Sequence, residues 1–194
     1  MRVAVKPEIL RWACERAGFA IEEMAERIPC LPAWETGETQ PTLKQLENFA
    51  NATHTPVGYL FLTEPPVERV PIPDFRTMAD EQVEHPSPDL LDTIYLCQQR
   101  QEWYRNFARS NGDEKLSFVS SVTPSDSVEK TATLIRKTLG FDIEERRQAS
   151  TWSDALRQFI EQADNIGVMV MVNGVVGVNN WRKLDPEEFR GFAL

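Results

Sequence analysis

Six prolines, Pro65, Pro66, Pro71, Pro73, Pro86 and Pro88, fall between Glu64 and Pro88. Each fixes φ near −65° and removes a backbone donor, so neither a regular helix nor a central strand runs through them. The stretch predicts extended or polyproline structure and divides the chain into a first domain at 1–64, a Pro-rich linker or strap at 65–88, and a second region at 89–194. Apolar and polar side chains interleave from Val70 to Thr77, which suits a strap lying on a domain surface, with Asp74 and Arg76 as an ion pair fixing it. A loose linker is the alternative.

The length, 194 residues, accommodates one large domain or two small ones, and 41% hydrophobic with 26% charged residues describes a chain that buries a core. No apolar run reaches membrane-spanning length, and Met1–Pro7 has no apolar core after its charges, so the expected compartment is the cytoplasm, with no membrane partner. Cys14, Cys30 and Cys97 are too few and too scattered for a disulfide framework or a metal knuckle and read as partly buried thiols. With 21 Lys and Arg against 30 Asp and Glu the net charge is −9, a sign that opposes bulk attraction to nucleic acid or anionic lipid.

The fold class expected is mainly α. In the first 64 residues a four- to five-helix bundle is predicted from apolar stripes at helical spacing. Ile9, Leu10, Trp12, Ala13 and Ala17 line a first helix stopped by Gly18, and Ile21, Met24, Ala25 and Ile28 a second. Thr42 to Gln45 forms a capping box opening a helix with Leu43, Leu46, Phe49 and Ala50 inward, and Thr55-Pro56 opens a last one. Trp34 belongs to the core.

Three helices are expected between about 89 and 164. Asp89 caps the first, running to about Ser110 with Leu90, Leu91, Ile94, Tyr95, Trp103 and Phe107 buried. The second runs from Asp126 to Leu139 with Val128, Ala132, Ile135 and Leu139 on one face, and the third follows a capping box at Thr151–Asp154 with Ala155, Leu156, Phe159, Ile160 and Ala163 inward. The period then switches: Gly167–Val172 reads as a buried strand, Asn173-Gly174 as a turn into Val175, Val176 and Val178, and Arg190–Leu194 as a further strand. Trp181-Arg182-Lys183 falls in a surface loop between strands, and Glu187 and Glu188, adjacent on extended chain, point to opposite faces.

Ala25 after its stripe, then Trp34-Glu35-Thr36-Gly37-Glu38-Thr39-Gln40-Pro41-Thr42 and Leu43-Lys44-Gln45-Leu46, resembles the Xre (lambda-repressor-like) helix-turn-helix module. Joined to Gly58–Leu62, to Pro71–Thr77 with Asp74, Phe75 and Arg76, and to Val175–Gly177 and Arg182–Leu194, the chain resembles Xre modules fused to an ImmA/IrrE-family metallopeptidase domain. The resemblance spans nearly the whole chain. It implies an Xre-like bundle, a strap, a second helical region and the start of an α+β peptidase-like domain with a short sheet, and the structural signature residues Trp34, Glu35, Gly37 and Pro41. It also implies a cytoplasmic DNA-binding transcriptional regulator in a stress or toxin–antitoxin-like circuit, with DNA, a repressor or antitoxin-like protein and further copies of itself as partners.

Zinc belongs to the complete protein of that family, on a His-Glu-x-x-His helix following the Phe-Arg-Gly-Phe-Ala-Leu segment. Neither His54 nor His85 starts such a motif, so these 194 residues are expected to carry no catalytic residues, no metal and no peptidase activity, the sequence ending before the zinc helix.

The candidate DNA contacts are Arg27, Gln40, Thr42, Lys44 and Gln45, the last four around a helix start where backbone N–H groups and a basic side chain suit a phosphate. Against them stands the recognition segment. Trp34 lies only nine positions after Ala25, Pro29 and Pro32 interrupt the interval, and Ile28, Cys30, Leu31 and Ala33 offer no hydrogen bonds to base edges. Six basic and nine acidic residues give the first 64 a charge near −3. A non-catalytic protein-interaction or dimerisation module with a degenerate DNA-binding head is therefore the alternative.

Overall fold

The computed structural model describes residues 2–72, 86–141 and 143–194. The strap residues Pro73 to Thr77, with Asp74, Phe75 and Arg76, and His85 lie outside them. The chain is mainly helical with a small two-stranded antiparallel sheet, and it divides into two compact units, one of residues up to Leu96 together with Gly174–Leu194, the other Cys97–Asn173. Among the described residues no helix is long and apolar enough to cross a membrane.

The first unit holds α1 (Pro7–Arg16), α2 (Ile21–Arg27), α3 (Leu31–Glu35), α4 (Leu43–Ala52) and a 3₁₀ turn at Val57–Phe61. Pro7 opens α1 without needing its missing N–H, and Gly18 at φ +75° turns the chain out, with Phe19 N donating to the Cys14 carbonyl. Glu23 accepts from Ala20 N at the start of α2. The capping box of α4 forms as expected: Gln45 N donates to Thr42 Oγ1 at 3.3 Å and Thr42 N to Gln45 Oε1 at 2.9 Å.

One core follows from these faces: Val5, Ile9, Leu10, Ala13, Cys14, Met24, Leu31, Trp34, Leu46, Phe49, Ala50 and Leu60. Trp34 meets Phe49 edge to face at 6.5 Å and 84°, a favoured arrangement of ring quadrupoles. Leu43 departs from its expected inward position and is exposed, because it stands in the first turn of α4, past the rim of the core. The Thr55-Pro56 start leads into a 3₁₀ turn with only Leu60 buried.

The remainder of this unit is the start of α5 (Pro88–Asn111), where Leu90, Leu91 and Ile94 are buried, and the pair β1 (Val175–Val176) and β2 (Asn179–Lys183). The turn between the strands sits at Gly177-Val178 and not at Asn173-Gly174, Gly177 supplying φ +59°. Trp181, Arg182 and Lys183 lie on β2, not in a loop between strands, and Arg190–Leu194 is not a strand.

The second unit contains the rest of α5, α6 (Val128–Leu139), α7 (Ile143–Gln148) and α8 (Trp152–Asn165). α7 has no counterpart in the sequence reading. Helix α6 begins two residues later than expected because Asp126 is used in the preceding turn, accepting from Thr123 N and Oγ1, which holds its carboxyl below the usual range, and Ser127 takes the cap. Gly140 ends α6 in the left-handed region at φ +62°. Thr151 caps α8 as expected, accepting from Asp154 N.

Several side chains expected inside are outside. Tyr95, Trp103, Phe107, Val128, Ile135, Leu156 and Phe159 are each more than a third exposed. Two packed helices, α6 and α8, cover only a narrow stripe of one another, and Cys97 and Ala163 are the buried apolar residues among those described in this unit. Trp103 and Phe107, one turn apart on α5, stack on each other at 5.6 Å instead of on a core. Gly167–Val172 forms no strand: it lies in no ladder among the described residues, and Met169, Met171 and Val172 are exposed.

Candidate nucleic-acid interface

In a helix-turn-helix module the second of two consecutive helices reads bases, and the helix at the position that the resemblance assigns to that role is α3. It has five residues, about 7 Å of axis at roughly 1.5 Å per residue, with Pro32 in its first turn. Leu31 and Trp34 point into the core. Glu35 is held by Arg11, Nε to Oε1 at 2.6 Å, and Thr36 Oγ1 returns to the Pro32 carbonyl at 3.1 Å. Gly37 then turns at φ +75° in open space, a conformation that disfavours any side chain, and Thr39 N closes the loop on the Ala33 carbonyl at 3.0 Å.

The residues expected to touch DNA are partly engaged in the fold itself. Gln40 accepts from Val5 N through Oε1 at 3.1 Å, and its carbonyl takes the Arg2 guanidinium. Thr42 and Gln45 satisfy each other in the capping box, Thr42 Oγ1 also donating to Gln45 Oε1 at 2.9 Å. Buried Pro41 carries the carbonyl that receives Val3 N at 2.8 Å. Lys44 is well exposed, with Glu47 one turn on at 3.3 Å, a solvated pair of small energetic weight. Arg27, at the end of α2, lies over the Phe19 ring at 4.5 Å.

Arg2 is a residue that the sequence reading passed over. Its backbone bridges to Thr42 in an isolated antiparallel pairing, and its guanidinium donates to the Gln40 carbonyl just before the α4 start. Its only sequence signal is a basic residue before the first helix, and nothing local reveals a partner forty positions away. The α4 start carries exposed Lys44, and Arg2 pairs with its cap residue Thr42, basic side chains of the kind that suit a phosphate oxygen. Acidic Glu22, Glu23 and Glu26 are exposed on α2, and Glu47 stands beside Lys44 on α4.

Among the described residues no group of three or more His, Cys, Asp or Glu side chains is placed to hold a metal ion. Comparison with protein-family models, with curated proteins and with solved structures returns no match.

Proposed function

We propose that the chain is the regulatory part of an Xre plus ImmA/IrrE-type protein, with residues 1–64 an Xre-like head that grips the DNA backbone. The observation that carries it is the α4 start, where a complete Thr42–Gln45 capping box, exposed Lys44 and adjoining Arg2 sit directly after the Trp34–Pro41 signature, whose tryptophan is built into the core. In this reading Gln40, Thr42 and Gln45 shape the helix start, while Lys44, Arg2 and Arg27 supply charge. In the family that the chain resembles, zinc is held by a His-Glu-x-x-His helix, a motif these residues do not contain, and a repressor or antitoxin-like protein is the proposed partner.

Fluorescence anisotropy with a duplex from the chain's own upstream region tests the head. Lys44→Ala with Arg2→Ala should weaken binding and make the salt slope shallower by about 2, since each phosphate contact contributes about 0.9 to it. Equal affinity for that duplex and a scrambled one at about 100 mM salt refutes regulation through a specific site.

The five-residue α3 favours a second reading. Its outward positions carry apolar residues or paired Glu35, so the same head serves equally as an acidic protein-interaction or dimerisation module. A dimer by sedimentation, together with absent sequence preference, selects it.

A further inference from the structure

Val168 to Val172 reads Val-Met-Val-Met-Val, the same in either direction, and Gly167–Val172 carries neither a charge nor a proline. Exposure alternates along it with the two-residue period of extended chain: Val168 and Val170 are half-buried, Met169 and Met171 exposed, and Val172 at the end is exposed as well. The backbone alternates too. Val168 N donates to the Ala163 carbonyl at 2.9 Å and Val170 N to Asp164 Oδ1 at 3.5 Å, so these two N–H groups are held by the fold. Those of Met169, Met171 and Val172 donate to no group among the described residues; the Met171 sulfur has the Arg100 guanidinium at 3.6 Å.

An edge of this kind, with no lysine or proline to blunt it, is a template for a further strand. The palindrome says which strand fits. Laid antiparallel on itself about Val170, the run sets Met169 against Met171 of a second copy and Val168 against Val172, like side chains meeting like on both faces. In an antiparallel ladder, pairs that exchange both backbone bonds alternate with pairs that exchange none. The free N–H groups of Met169 and Met171 make the Met–Met pairs the bonded ones, and Val170, whose N–H is engaged within its own copy, meets its equivalent in the non-bonded position on the two-fold axis. A register shifted by one residue would face the engaged N–H groups instead.

We propose that Val168–Val172 is a self-recognising edge through which two copies of the chain pair antiparallel about Val170. The contact lies outside residues 1–64 and does not rest on the DNA-binding reading. The strip is about 16 Å long at roughly 3.3 Å per residue, well short of the roughly 800 Å² per partner of a stable interface, so the dimer is a weak one. Each copy carries a charge of −9, so salt that screens their repulsion favours the pairing.

Sedimentation equilibrium on the full chain from about 5 to 500 µM should show a monomer–dimer equilibrium with Kd between about 10 µM and 1 mM, tighter at about 0.5 M salt than at about 0.05 M. Met169→Lys with Met171→Lys puts like charges opposite one another on outward side chains and should weaken it about ten-fold or more, with far-ultraviolet dichroism unchanged. In a Cys30→Ser background, mild oxidation should link two copies through Val170→Cys, whose Cα atoms would lie about 4.5 Å apart, and not through Val168→Cys, about 13 Å or more from its mate. That cysteine pair decides the matter if the lysine variant fails to fold. A monomer throughout, a dimer that the lysines leave intact, or equal linkage through positions 168 and 170 overturns the proposal.

Discussion

Glu68 stands in the Pro-rich segment fifty-two positions from the residue it engages. Arg16, on the last turn of α1, donates from Nε and Nη2 to the Glu68 carboxylate and from Nη1 to the His54 carbonyl at 2.9 Å, with its guanidinium carbon 5.8 Å from the Trp12 ring centre. The Arg16 side chain is 5% exposed and that of Glu68 16%. Glu68→Ala leaves this guanidinium covered and without its counter-ion. Breaking a buried pair from one side costs about 3–5 kcal/mol. Because the His54 carbonyl and the Trp12 face stay in place, the expected loss is about 2–3 kcal/mol. Glu68→Gln retains a neutral acceptor and should cost about 1 kcal/mol less. Replacing both partners with apolar residues, Arg16→Met with Glu68→Leu, should restore most of the loss.

Urea unfolding followed by far-ultraviolet dichroism, run as a double-mutant cycle, reads the coupling directly. It should exceed about 1.5 kcal/mol and persist near 0.5 M salt, since screening acts weakly on covered charges. A Glu68→Ala variant within about 0.5 kcal/mol of the parent, or a coupling that salt abolishes, would mean that the pair is solvated and that the Pro-rich segment is not held on α1.

Other changes follow from the same packing. Trp34→Ala removes a ring buried against Phe49 and should cost about 3–5 kcal/mol in chemical denaturation, whereas Trp34→Phe should cost clearly less. Gly140→Ala places a side chain at φ +62° and should destabilise α6 by about 1 kcal/mol, visible as a lower melting temperature. Burial pushes the Cys14 thiol up to about 11 and raises that of Cys97, so both stay protonated at pH 8 and a thiol reagent should label exposed Cys30 first, all three reacting at one rate only in urea. Hydroxyl donation from Thr151 and Ser150 holds the Asp154 carboxyl below its usual range. The stabilisation of the α8 start is therefore present above the ordinary carboxylate range and lost as pH falls through the lowered value, which amide exchange of that turn should follow.

What the amino-acid sequence determined by itself was local: the Thr42 and Thr151 caps, the glycine stops at Gly18 and Gly140, the break at Pro29, and the apolar stripes that close the head core around Trp34, whereas Pro32 stands in the first turn of α3 instead of breaking it. Each of these depends on backbone dihedrals or on neighbours within about one helical turn, which adjacent residues specify. Tertiary structure decided the rest. Apolar spacing marks a face without saying what will cover it, so Trp103, Phe107, Val128 and Ile135 read as core and stand in solvent. An apolar run such as Gly167–Val172 is a strand only where another strand meets its hydrogen bonds. The contacts that organise the α4 start, hold the Pro-rich segment on α1 and tie β2 to α5, Arg2 with Thr42, Arg16 with Glu68, and Arg182 with Asp89 and Asp92, join residues 40, 52 and about 90 positions apart. Charge has no periodicity to announce such partners, and only the folded path of the chain brings them together.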